Sequence, residues 1–210
     1  MELISSLMNF FYNILPGVYL LFLIRTNQTF IDFTQKYKLF NQSNSSSGVD
    51  ILVLIIFGLL FGFSFQILTK FIRFLGLDCK IVSKVVSNNK IAFTRAEQIL
   101  NNHNLKLEED IEKVQVFYLM DNYLNCCKAN ILPSYFSSRT SLWANLGWAN
   151  LFLLLIEKSN IYHSLFYFIF FVISFRVFYS YLTSQFDTIL KSFVMEKDNF
   201  NEFKKPLKKN

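Results

Sequence analysis

Between Asp50 and Lys70 the chain carries no charged residue, and residues 48–68 read GVDILVLIIFGLLFGFSFQIL. A helix rises about 1.5 Å per residue, so roughly 20 such residues match a hydrocarbon core of about 30 Å. A second run, Ile161–Leu182, is interrupted only by His163 and Arg176. Leu3–Ile24 is a third apolar run, and 141–156 a shorter fourth one that carries Asn145 and Asn150. Inside lipid, only helices or a closed barrel satisfy every backbone polar group. The sequence therefore predicts an all-α integral membrane protein. Its transmembrane helices are expected at about 4–24, 50–69, 141–156 and 160–182. The third is the weakest.

Charged residues make up 17% of the chain, against about 25% in an average soluble domain. They concentrate in 69–141 and beyond 185. This unevenness predicts four regions. Residues 1–69 form an N-terminal membrane hairpin with a polar loop at 25–49. Residues 70–140 form a cytoplasmic helical subdomain between helices two and three. Residues 141–183 form a C-terminal membrane hairpin, turned by Glu157, Lys158, Ser159 and Asn160. Residues 184–210 form a basic cytoplasmic tail. The first apolar run begins after Met1-Glu2 and ends at Arg25, the reverse of a cleavable signal, so it reads as a retained anchor. Pro16-Gly17 predicts a kink in it.

Within 70–140, Ile81, Val82, Val85 and Val86 share one helical face, opposite Lys80 and Lys84. Thr94 and Glu97 form a capping-box pattern, which predicts a helix start at Thr94. Leu107, Ile111, Val114, Phe117, Met120 and Leu124 recur at spacings of three and four. Glu108, Glu109, Asp110 and Glu112 crowd the first turn of that helix, where its dipole favours anions. Pro133 is expected to end or bend the helix.

Orientation follows from the positive-inside rule. Ten Lys and Arg fall in 70–139 and six in 191–209, while Arg25, Lys36, Lys38 and Lys158 fall on the other side. The expectation is N-in and C-in, in a bacterial inner (plasma) membrane, with an organellar membrane as the alternative. Glu2 and Arg25 alone would favour the reverse for the first helix.

Gly58 and Gly62 form a GxxxG, which lets a second backbone approach closely within one chain or between copies. Ala144 and Gly147 extend the small-residue set for helix packing or oligomerisation. Asn145, Asn150, Asn9, Asn13 and Arg176 are candidates for a polar interior or lumen. Hydrogen-bond glue between helices, and snorkelling of Arg176 toward headgroups, are the plainer alternatives. Lys204, Lys205, Lys208 and Lys209 suit anionic headgroups.

Cys79, Cys126 and Cys127 make no disulfide framework and are expected to be small buried hydrophobes. His103 and His163 lack ligand-spaced partners. No phosphate-binding or nucleophile-elbow motif occurs, so no catalytic residue, metal or cofactor is expected. Nucleic-acid binding is not expected either, because the basic tail lacks interleaved aromatic residues.

The leading expectation is a non-enzymatic multi-pass subunit. It would associate with itself, or with other proteins through the 107–127 helix and its Phe117, Tyr118 and Tyr123. The alternative is an oligomeric pore-forming or membrane-perturbing effector of the stress or antiviral type. A membrane-embedded enzyme ranks last.

Overall fold

The computed structural model describes residues 2–24, 48–102, 112–126, 131–156 and 160–204. Among them the protein is all helical, with no strand. The elements are α1 (Glu2–Ile24), α2 (Gly48–Ile72), a π turn (Arg73–Leu77), α3 (Asp78–Asn88), α4 (Lys90–Asn102), α5 (Lys113–Cys126), α6 (Ile131–Ile156) and α7 (Ile161–Lys204). Most of the expected loop 25–49, the first turn of the expected 107–127 helix, His103 and Cys127 lie outside the described residues.

Local chemistry sets several boundaries. Gly76 adopts φ 107°, a conformation that costs other residues about 1–3 kcal/mol, and it breaks the line of α2 within the π turn. Asn89 divides α3 from α4. Its N–H donates to the Val85 and Val86 carbonyls, and its own carbonyl accepts from Phe93 N–H at 3.0 Å. Asn160 caps α7 through its Oδ1, which accepts from Tyr162 N–H at 2.9 Å.

Three local expectations are corrected. Thr94 does not start a helix: α4 begins at Lys90 and runs through it, because Asn89 supplies the break. Pro133 does not end a helix. It sits in the first turn of α6, where its missing N–H would have had no acceptor. Cys79 and Cys126 are free and exposed rather than buried.

The chain divides into two compact units. One comprises the chain up to Phe71 together with Ser138–Tyr179; the other comprises Ile72–Ser137 and the chain from Ser180. In the first, α1, α2, most of α6 and the first half of α7 pack around Leu20, Phe65, Ala149, Leu153 and Tyr167. Large apolar side chains cover its outside, including Phe22, Leu60, Phe63, Ile67, Leu155 and Phe168.

The second unit has an apolar core of its own. Ile81, Val82, Val85, Phe117, Met120 and Leu124 are buried in its centre. Phe117 stacks on Phe93 at 5.9 Å and meets Phe186 edge-on at 5.6 Å. The expected tail from 184 is in part helix: α7 continues to Lys204, with Phe186, Ile189, Leu190 and Phe193 buried in this core. Its amphipathic period turns that stretch into core rather than tail.

Among the described residues, two helical stretches are long and apolar enough to cross a membrane, Ile55–Asn88 and Ile161–Glu196. Only 22% of each apolar window is buried, where a core helix of a soluble protein would be mostly covered. Four spans were expected. In α1 the apolar stretch among the residues described with their side chains is Ile14–Leu23. α6 is diluted by Ser134, Ser137, Ser138, Arg139, Thr140 and its two asparagines.

Candidate functional site

The first unit is built on a seam of small and polar residues. Gly17 and Gly58 bring α1 and α2 into backbone contact, since a Cβ on Gly17 would fall on the Gly58 carbonyl. A Cβ on Gly58 would lie 2.8 Å from a Val18 methyl. Half of the GxxxG thus serves packing inside one chain, and Gly62 is buried as well. Gly17 was not singled out for packing, because a glycine beside a proline reads first as a kink. Gly147 lies under the Phe175 ring, which a Cβ would meet at 2.6 Å. Ala144 beside it is fully buried.

The two asparagines of α6 differ. Asn150 Oδ1 accepts the Tyr19 hydroxyl at 3.0 Å, and its amide donates to the Leu146 carbonyl at 2.8 Å. It joins α1 to α6 as interhelical glue. Asn145 is fully buried, and neither of its amide atoms has a hydrogen-bond partner. Asn9 and Asn13 lie in α1, with side chains outside the description. Arg176 is exposed on α7. Lys204 ends α7, and Lys205, Lys208 and Lys209 lie outside the described residues.

In the second unit, polar chemistry gathers around Asp78, which is 3% exposed. Arg73 Nε donates to both of its carboxylate oxygens, at 2.9 and 3.1 Å. The Tyr118 hydroxyl donates to Oδ2 at 2.7 Å. The cluster ties the π turn and α3 to α5. The sequence concealed it because residues five apart do not share an α-helical face; the wider π turn brings Arg73 and Asp78 together. A second link joins the α3–α4 elbow to α7: Asn89 Nδ2 donates to Asp187 Oδ1 at 2.9 Å, and Lys191 pairs with the other oxygen at 2.6 Å.

Burial is the main cause that pushes the Tyr118 phenol up, to about 12; the hydrogen bond to Asp78 and the charge of Asp78 add to it, and Arg73 opposes it. Burial also raises Asp121, against the pull of Arg73. Both therefore favour their neutral forms in the fold. Because its folded value exceeds the ordinary 10.0, Tyr118 supports the fold fully below about pH 10 and loses that support as pH rises toward 12. In an alkaline titration, the phenolate that distinguishes wild type from Tyr118→Phe is expected near pH 12. Its appearance near pH 10 would mean that Tyr118 is neither buried nor in contact with Asp78.

The cluster is a clamp. Both Asp78 oxygens are occupied and Tyr118 stays protonated at neutral pH. Among the described residues, no group of three His, Cys, Asp or Glu could hold a metal ion. The aromatic face expected to meet partners is turned inward in part: Phe117 is fully buried, and Tyr123 packs on Phe193 at 5.6 Å. The exposed stripe of α5 is instead Gln115, Tyr118, Leu119 and Asn122. No protein-family model, curated protein or solved structure matches the chain.

Proposed function

We propose that the chain is a non-enzymatic, multi-pass membrane protein that serves as a self-associating or docking subunit of a membrane assembly. One observation carries the reading: the two units expose different chemistry. The first sets glycine, alanine and amide groups at its helix contacts around a core of Leu20, Phe65 and Leu153, and still shows a dense cover of large apolar side chains outside, as a bundle in lipid does. The second buries Phe93, Phe117, Phe186 and Phe193, leaves Phe74, Leu75 and Ile91 exposed, and carries most of the charge, closer to a domain in water. α1, α2, α6 and α7 each supply a membrane segment. The exposed stripe of α5 is the docking face.

The excess of Lys and Arg in 70–139 and 191–209 favours the cytoplasmic side for the second unit and for both chain ends, in a bacterial plasma membrane. The pore reading draws no support from the asparagines. Asn145 and Asn150 are buried within one chain, and Asn150 is fully engaged.

Extraction in mild detergent, followed by mass measurement of the intact particle, tests the reading. The protein is expected to need detergent. Its particle is expected to exceed a single 24.8 kDa chain with bound detergent and lipid, through added copies or a stoichiometric partner. A monomer that stays in the supernatant without detergent contradicts it.

A further inference from the structure

Three side chains in the first unit share one level. The Trp148 indole N–H donates to Thr69 Oγ1 at 3.0 Å, joining α6 to α2. The same ring meets Phe175 edge-on, at 5.5 Å and 85°, joining α6 to α7. The Thr69 hydroxyl also donates to the Phe65 carbonyl at 2.9 Å, which holds it in place.

One residue further along each helix, about 100° round its axis, is a cation: Lys70 after Thr69 and Arg176 after Phe175. Both are exposed, and neither has an ion-pair or hydrogen-bond partner among the described residues. Each continues an exposed apolar stripe at helical spacing. On α2 the stripe is Phe63, Ile67 and Lys70; on α7 it is Ile169, Ile173 and Arg176. A cation at the end of an oily face, at the level of a tryptophan, has the chemistry of the hydrocarbon–headgroup boundary.

We infer that Lys70 and Arg176 each bind anionic lipid on the first unit, taking phosphate oxygens of headgroups in one leaflet. The inference rests on the proposed insertion of that unit into a bilayer. The aliphatic stems of both residues lie along the acyl chains while their charged ends reach the phosphates. Arg176 can chelate two oxygens of one phosphate; Lys70 supplies a point charge. Trp148 connects the helices that carry them, which holds both cations at one level of the unit.

The test uses the full chain in phosphatidylcholine bilayers that contain a minor share of phosphatidylglycerol. The readout is the phosphatidylglycerol retained per chain after gentle detergent extraction. Each cation near the surface is worth roughly a fivefold preference for anionic lipid. The double variant Lys70→Gln/Arg176→Gln is expected to lose retention at least fivefold. The charge-preserving Lys70→Arg/Arg176→Lys is expected to keep it, as is a variant with Lys204, Lys205, Lys208 and Lys209 all changed to Gln. Undiminished retention in the double variant, or loss in the tail variant alone, overturns the site. Wild type that never enters the bilayer fraction defeats the membrane reading itself, whereas inserted wild type without phosphatidylglycerol enrichment defeats only the site.

Discussion

Truncating Phe117 to alanine is expected to destabilise the second unit by about 3–5 kcal/mol, the usual cost of deleting a large buried aromatic. Phe117 is fully buried and touches rings from two other helices, Phe93 of α4 and Phe186 of α7. Removing it opens a cavity that neither neighbour can fill without leaving its own packing. Leu119→Ala, two residues away, serves as the control. Leu119 is 37% exposed, so its truncation should change stability by about 0.5 kcal/mol or less. Denaturant midpoints in detergent, followed by proteolytic protection of α5, separate the two. Equal effects would mean that the helical face of α5 is misassigned. A large loss only for Leu119→Ala would mean that a partner surface had been taken for a core.

Gly17→Ala should disrupt the first unit out of proportion to the single methyl added. That methyl would land on the Gly58 carbonyl, which is backbone and cannot rotate away. The helices must separate, at an expected cost of about 1–3 kcal/mol or more. Gly58→Ala should be milder, because the Val18 methyl it meets at 2.8 Å belongs to a side chain that can shift. Thermal unfolding in detergent, monitored by loss of helicity, ranks the pair. A neutral Gly17→Ala would contradict the close crossing of α1 and α2.

The clearest parts of this fold in the sequence are those governed by a single periodicity. Ile81, Val82 and Val85, and likewise Phe117, Met120 and Leu124, stand on the faces their spacing marks, and all are buried. That spacing records which face meets apolar neighbours but not what those neighbours are. Phe117 could therefore be read as a partner contact when its partner is the same chain. The stretch after 184 misled for a similar reason. Its amphipathic period was visible, but the core receiving Phe186 and Phe193 is assembled from residues about 60 to 100 positions earlier.

Other features depended on backbone geometry that composition does not encode. The Arg73–Asp78 pair needs a π turn, and the turn needs the positive φ of Gly76. The Asn89 break outranked the capping pattern at Thr94, because a side chain that can bond both the preceding helix and α7 specifies a boundary more strongly than a local motif. Among the candidate site residues, the small ones were legible as packing positions. The buried, unpartnered amide of Asn145 and the tie from Thr69 to Trp148 emerge only once the helices are set side by side.

The exposed oily faces of the first unit are expected to meet lipid. Spin labels at single cysteines, placed in a cysteine-free background, test this most directly in reconstituted bilayers. Labels replacing Phe63 and Ile169 are expected to be reached by oxygen and shielded from a polar nickel reagent, while a label replacing Asn122 shows the opposite. Comparable nickel access at all three positions would contradict the account.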